Sequence, residues 1–426
     1  MESEEHQKGK EKFKEGKYEE AIELFKKCHK KEQRAPFYSN ISACYMKLKD
    51  IPKAIKYARK SIEETPEFEK GYYRLINAGE NTREYNSSVM IAEIKLGRER
   101  KEEKYWKEYY SGNEEVEVKR INLEYGKGVF SKKRYQKEEI IMKEIPIIQI
   151  SKIEDYYNCC GFCLKTLCSK EPKNKYNQIF KEINKEEIIK CKCGMKYCNF
   201  KCQQLDYTHS LLCNKLKGLI NYCNINHISH PLCIAKIFAT ILISQNIEKS
   251  LFPFVVFHSS PLIPFNSEIV PFFLNIFGSL LLKFNIYGGW TFIYQILYSV
   301  LKYNSSSILP LNPIQSLLLN NNSLLIDNTL LSSSLINHPD ITAFTIEAEG
   351  LFKYLNTLNH SCSPNCFLAN TDDSFALSLI ASCPISHGDE LTISYIDNTL
   401  PYSQRQSLLY DSYHFYCHCP KCNLMI

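Results

Sequence analysis

Cysteine and histidine stand at metal-ligand spacing in two separate parts of this chain. Between Cys160 and Cys213 the order is C-x2-C, C-x-C and then C-x3-C-x6-H-x3-C, supplied by Cys160, Cys163, Cys191, Cys193, Cys198, Cys202, His209 and Cys213. Thiolate and imidazole suit zinc, and a structural zinc takes four ligands in a tetrahedron, so this set predicts two ions. A segment so short buries little apolar surface, and metal binding would supply most of its folding free energy. Cys417, Cys419 and Cys422 offer three more ligands near the other end. A closed site needs a fourth, for which both Cys362 and Cys366 are available. The total of 19 cysteines is read in the same sense, because clustered thiols in a reducing compartment serve metals rather than disulfides.

Three short motifs carry a different chemistry. Gly126-Lys127-Gly128 precedes Val129-Phe130, and glycine, lacking a Cβ, lets a backbone approach a ligand closely. Asn359-His360-Ser361-Cys362-Ser363-Pro364-Asn365-Cys366 comes much later, followed by Gly388-Asp389-Glu390-Leu391-Thr392-Ile393-Ser394-Tyr395. Tyr413-His414-Phe415 then leads into the last cysteines. In this order the motifs resemble the SET methyltransferase fold. The stretch Tyr197-Cys198-x3-Cys202-Gln203-x3-Tyr207-x-His209-x3-Cys213 resembles the MYND finger, and a finger placed between the first and second motifs is the arrangement of the SET and MYND domain (SMYD) family. The resemblance covers about residues 116 to 422.

The resemblance implies a protein-lysine N-methyltransferase that uses S-adenosylmethionine and holds about three Zn(II) ions. Cys160, Cys163, Cys198 and Cys202 would bind one ion, and Cys191, Cys193, His209 and Cys213 the second. Cys362 would join Cys417, Cys419 and Cys422 on the third. Relatives have two residues between the third and fourth finger ligands, whereas only Lys192 separates Cys191 from Cys193, which leaves open a distorted site or recruitment of Cys159 or Cys168. Tyr395 would be catalytic, its hydroxyl near the transferring methyl. Tyr413 and Phe415 would wall the lysine channel, with Phe415 also touching the cofactor. Asn359 and His360 would hold the cofactor through their backbone, and the loop Tyr125, Gly126, Lys127 and Gly128 would cover its other side. The Asn359 strand would thread a pseudoknot. Where relatives carry Asn-Ser-Phe, this chain has Thr342-Ala343-Phe344. These residue types suit the reaction: an apolar channel favours the neutral amine, and aromatic faces favour cationic centres.

The elements that must position these residues predict an α+β chain. Gly9, Phe13, Gly16, Tyr18, Ala21 and Phe25 are echoed by Ser42, Tyr45, Ala54 and Ala58 at a period of about 33, the signature of tetratricopeptide repeats, with a weaker third unit from Lys70. The expected boundaries are 1–115 for the repeat arm and its connector and 116–158 for the first part of a mostly β SET domain. The MYND finger would span 159–213, a helical insert 214–340, the catalytic part 341–396 and the post-SET segment 397–426. Tyr303 to Phe352 has no Lys or Arg and is rich in Asn, Ser and Leu, which reads as a low-complexity loop without chemistry. Val270 to Val300 is broken by Asn275, Lys283 and Asn285, so it reads as a buried helical core rather than a membrane span. The first residues lack a signal-peptide pattern, and the expected residence is cytoplasmic, nuclear or both. A net charge of +6 counts against nucleic acid as the main partner. The expected partners are a protein with a target lysine and an acidic chaperone C-terminal tail, because Asn40, Lys70 and Arg74, with His6 and Lys10, stand at positions resembling a carboxylate clamp. A rival reading is an adaptor whose SET unit has lost catalysis.

Overall fold

The computed structural model describes residues 4–27, 34–65, 68–79, 108–121, 126–167, 176–183, 188–244, 247–255, 265–283, 290–320, 323–326, 329–332 and 337–425. Tyr125, Cys168 and the charged connector around 98–107 lie outside them. The chain divides into two compact units, one made of 1–103 with 241–297, the other of 104–240 with 298–426.

The first unit begins with five helices, α1 (Glu4–Lys14), α2 (Tyr18–Lys27), α3 (Arg34–Lys47), α4 (Ile51–Glu64) and α5 (Glu69–Gly79). Small residues set the distance between them. A Cβ at Gly9 would lie 2.7 Å from the ring of Phe25, so α1 can cross α2 only because residue 9 has none. Ser42 and Ser61 are buried and donate to the carbonyls of Ala54 and Ala35, each at 2.7 Å, so both hydroxyls are satisfied where the helices cross closely. Asp50 caps α4 by accepting from the Lys53 amide at 3.2 Å, with Pro52 in the first turn. The apolar stretch after residue 270 forms the helices Val270–Lys283 and Trp290–Asn304. Phe273 is fully buried and stacks on Trp290 with ring centroids 5.6 Å apart. Among the described residues no helix is long and apolar enough to cross a membrane.

The second unit is built on short strands: β1 (Val116–Arg120), β2 (Lys127–Ser131), β3 (Ile140–Glu144), β4 (Ile148–Ser151), β5 (Ile189–Lys190), β6 (Lys196–Tyr197), β7 (Ser306–Ile308), β8 (Ser323–Ile326), β9 (Thr329–Ser332), β10 (Ala348–Leu351), β11 (Asn359–His360), β12 (Cys366–Ala369), β13 (Leu377–Ala381) and β14 (Glu390–Ile393). They form sheets in the orders β1-β2-β14-β11, β4-β10-β7 and β12-β13-β3, with the hairpins β5-β6 and β8-β9 apart. Alternation of apolar residues decides which side faces inward: Leu377 and Leu379 on β13 are buried, as are Val129 on β2 and Leu391 on β14. β11 pairs with β14 in parallel, Asn359 opposite Thr392 and His360 opposite Ile393. The remaining partners of β14 and β2 are antiparallel.

The expectation of a loop from Tyr303 to Phe352 is corrected. That segment supplies β7, the helix Pro313–Asn320 and β10, and Asn312 is fully buried, its amide donating to the Ile341 carbonyl at 2.8 Å. Asn and Ser serve there as internal hydrogen-bonding groups, a use that composition alone does not distinguish from a solvated loop.

Glu144 shapes the turn that leads into β11. Its carboxylate accepts from the amides of Lys353 (2.9 Å), Tyr354 (3.1 Å) and Leu355 (3.0 Å). Burial pushes its pKa up while these amides pull it down. Glu144→Ala would leave the three amides without their acceptor, a cost of roughly 2–4 kcal/mol. Glu144→Gln, which keeps one carbonyl oxygen, is expected to lose about half as much. Urea denaturation followed by tryptophan and tyrosine fluorescence checks this, and equal stability of all three proteins would show that Glu144 does not hold the turn.

Candidate functional site

Three groups of four ligand atoms converge, in each case with all atoms within 4.8 Å of one another: Cys160, Cys163, Cys198 and Cys202; Cys191, Cys193, His209 and Cys213; Cys362, Cys417, Cys419 and Cys422. A zinc tetrahedron has edges of about 3.8 Å between sulfurs and about 3.6 Å between sulfur and nitrogen. The Sγ separations are 3.6 Å for Cys163 and Cys198, 3.4 Å for Cys198 and Cys202, 3.6 Å for Cys191 and Cys213 and 3.5 Å for Cys362 and Cys422. His209 Nε2 lies 3.3 Å from Cys191 and 3.5 Å from Cys193. The donor sets therefore fit three zinc ions, and the short Cys191-Lys192-Cys193 spacing is accommodated without Cys159, which is buried apart from the cluster residues with its thiol pushed up to about 12 by burial. Asn199 caps the short helix Phe200–Leu205 by accepting from the Cys202 amide at 2.9 Å, which turns Cys202 back toward Cys198. Cys362 rather than Cys366 completes the third group. Cys366 begins β12 opposite Ala381, buried away from the group.

The third group sits beside a cage of rings. Tyr395 and Tyr413 have centroids 4.9 Å apart, Tyr413 and Phe415 6.4 Å, Tyr395 and Phe415 6.5 Å, and His360 and Tyr395 5.3 Å. The Tyr395 hydroxyl donates to the Leu358 carbonyl, and the Tyr395 amide donates to His360 Nδ1 at 3.0 Å. Burial raises the Tyr395 phenol, so it stays protonated. Burial, helped by the charge of Arg405, lowers His360 to about 4, and the imidazole is neutral near pH 7. Tyr413 ends the helix Tyr402–Tyr413, where His414 in the left-handed region (φ 62°) turns the chain back toward the cluster. Gln406 on that helix grips Cys417 in both directions, donating to its carbonyl at 2.8 Å and accepting from its amide at 2.9 Å.

Two cavities share Tyr395 and Tyr413 in their walls. One, of about 1030 Å³, is lined by Ile121, Asn359, His360, Glu390, Thr392 and Phe415 among others. The other, of about 1080 Å³, is lined by Tyr303 to Ser307, Thr342, Thr345, Glu347, Asn356 and Leu358 among others, and by no Lys or Arg among the described residues. Among the described residues Glu390 is the single carboxylate on the wall of the first, and the sequence assigned it no role of its own. It accepts from the Asn359 amide at 2.8 Å, and the same amide donates to the Lys127 carbonyl at 2.9 Å. A Cβ at Gly128 would lie 2.6 Å from Glu390 Oε1 and 3.2 Å from Asn359 Nδ2, which is why glycine stands there. Gly126 has φ +66°, a turn conformation suited to glycine. Lys127 contributes its carbonyl here, while its side chain lies over the Tyr110 ring at 5.7 Å, its pKa lowered to about 8 by burial with Arg120 adding. Thr342, at the position where relatives carry asparagine, borders the second cavity and donates to the Pro339 carbonyl.

In the first unit the five clamp-like positions fall on α1, α3 and α5. The Asn40 amide is 3.0 Å from His6 Nε2, and His6 is buried between Phe25 and Phe37. Arg74 is partly buried with its Nε unpartnered, and burial lowers its pKa.

The SET domain family model matches residues 126–396, more than half of the chain, and the tetratricopeptide repeat model matches 6–29 and 35–68. A SET and MYND domain-containing protein of Dictyostelium discoideum is 29% identical over 305 residues, 67% of this chain and 77% of the relative. The protein-lysine N-trimethyltransferase SMYD5 of Danio rerio is 25% identical over 368 residues, 72% and 86% of the two chains. The histone-lysine N-methyltransferase ATXR2 of Arabidopsis thaliana is 44% identical over a shorter 78 residues, 18% of this chain and 16% of that one.

Elemental analysis of the purified chain is expected to give about three zinc ions, and Cys422→Ser about two. Two ions in the parent protein would mean that the Cys191 and Cys193 group stays empty.

Proposed function

This chain belongs to the SET-domain family, in its SET and MYND branch with tetratricopeptide repeats, and from that premise we propose that it is a protein-lysine N-methyltransferase using S-adenosylmethionine. The observation that carries the reading is the meeting of two cavities at Tyr395 and Tyr413. The cavity of Asn359, His360 and Phe415 suits the cofactor: it combines aromatic faces, the Glu390 carboxylate and an edge at Gly128 where a side chain would intrude. When bound there, the cofactor supplies an electrophilic methyl on a sulfonium. The other cavity would admit the lysine.

The chain's own residues do the rest. Tyr395, Tyr413 and Phe415 surround the junction with ring faces, which desolvate an incoming ammonium and so favour its neutral form. Because the Tyr395 hydroxyl donates its hydrogen bond to the Leu358 carbonyl, its lone pairs remain for the cationic centre. No side chain need act as a strong base, since alignment of amine and methyl by a rigid cage lowers the barrier. The adaptor reading has no observation behind it, because its sequence argument, Thr342, falls on the wall of the cavity opposite Asn359.

Purified protein incubated with radiolabelled S-adenosylmethionine and cell lysate is expected to label lysines that mass spectrometry then identifies. Tyr395→Phe is expected to keep its zinc and lower turnover at least about a hundredfold, as loss of a transition-state contact does. Equal labelling by the two proteins would remove Tyr395 from the reaction.

We further propose that the repeat arm binds an acidic peptide terminus through Lys70 and Arg74, with the Asn40 and His6 pair forming one wall. The unpartnered Arg74 Nε supports this, as a buried donor looks for an acceptor. A peptide ending in Glu-Glu-Val-Asp is expected to bind more weakly as salt rises. The double variant Lys70→Ala, Arg74→Ala should weaken it at least about tenfold, measured by fluorescence anisotropy. Equal binding to the double variant, or none to the parent, would end the clamp reading.

A further inference from the structure

Arg405 lies on the helix Tyr402–Tyr413 and is 1% exposed, the largest of the fully buried side chains among the described residues. A guanidinium cannot shed its charge, so burial must be matched by negative partners. Here those partners are sulfur. Nη2 lies 3.7 Å from Cys422 Sγ, and Nη1 donates to the Leu400 carbonyl. Four thiolates around one Zn(II) leave two negative charges uncompensated, and three of the four cysteines here are buried. One cation against the group halves that excess. The adjoining Gln406 fixes the backbone of Cys417, so neighbouring residues of one helix turn hold the charge and the chain direction of the same cluster.

We propose that Arg405 is the electrostatic counterpart of the third cluster and, through it, a positioning residue for Tyr413 and Phe415. Cys362 follows the Asn359-His360 strand by two residues, and Cys417 follows Phe415 by two. The cluster therefore ties the strand at the cofactor wall to the segment that carries the ring wall. Weakening the cluster lets the two walls separate, and the cavity loses its grip before any residue that touches the reactants has changed.

The test uses the full chain with its zinc in place. Parent, Arg405→Gln and Arg405→Lys proteins are equilibrated with rising chelator and gel-filtered, and the ions retained are counted by elemental analysis. S-adenosylmethionine binding is measured by calorimetry on the same samples. Arg405→Gln is expected to release one of the three ions at about tenfold lower chelator, the scale of a lost outer-sphere partner, while the other two leave as in the parent. Its affinity for S-adenosylmethionine should fall by a similar factor. Arg405→Lys, which keeps the charge without the planar fork, should fall between the two. A folded Arg405→Gln protein with the parent's release profile overturns the proposal. If Arg405→Gln does not fold, Arg405→Lys decides: retention of the third ion better than in Cys422→Ser supports the proposal, and loss as complete overturns it. The ion count stands without the methyltransferase reading, and only the binding arm rests on it. A parent chain that holds three ions but binds no S-adenosylmethionine would defeat that reading and leave the ion count to judge Arg405.

Discussion

A parallel pairing of two residues, Asn359 and His360 of β11 against Thr392 and Ile393 of β14, is the constraint on which the site depends. Parallel strands close in sequence need a crossover between them, here residues 361–389, and that crossover holds β12 and β13. So short a ladder has few backbone hydrogen bonds of its own. Asn365 reinforces it from inside the crossover, accepting from the Thr392 amide and donating to the Glu390 carbonyl, each at 2.8 Å. Because β14 ends two residues before Tyr395, any slip of this register would move the tyrosine away from Leu358 and His360 together.

Two kinds of cohesion are used in different places. The strands and helices of both units bury apolar side chains in the ordinary way, from Ala21 and Phe25 in the repeats to Leu379 and Leu391 in the sheets. Among its described residues the finger has only the two-residue strands β5 and β6 and short helices, and the last residues of the chain form the helices Tyr402–Tyr413 and Pro420–Asn423. In those regions four-ligand groups stand where a core would, and the affinity of a bound metal would become folding free energy. The division leaves the cage of rings between a four-ligand group on one side and a hydrophobic sheet on the other.

Much of this was legible because the chemistry is local in type even where it is distant in sequence. All three ligand groups assemble with the membership that the family resemblance implied, and the rings at 395, 413 and 415 meet. Tyr125 lies outside the described residues. What sequence did not reveal shares one cause: the role of a residue is set by a neighbour far along the chain. Glu390 belongs to the motif that ends at Tyr395, but its partner Asn359 appears only in the fold. Nothing in the sequence marks Arg405, whose buried guanidinium meets Cys422 only in the fold. Lys127 is flanked by glycines, yet strand alternation turns its side chain to Tyr110 and leaves only its carbonyl facing Asn359. The Asn- and Ser-rich stretch looked featureless because its polar groups are spent inside, as at Asn312, or along β7, where Ser306 accepts from the Asn356 amide at 2.7 Å.

That same stretch gives the larger cavity an unusual electrical character. Among the described residues its wall carries one carboxylate, Glu347, and otherwise hydroxyl and amide groups in place of lysine and arginine. A peptide bearing several positive side chains would meet dipoles that can rotate toward it rather than fixed charges that push it back. Discrimination among basic sequences would then rest on shape and on the count of hydrogen bonds, because the wall offers no repulsion with which to refuse one cation in favour of another.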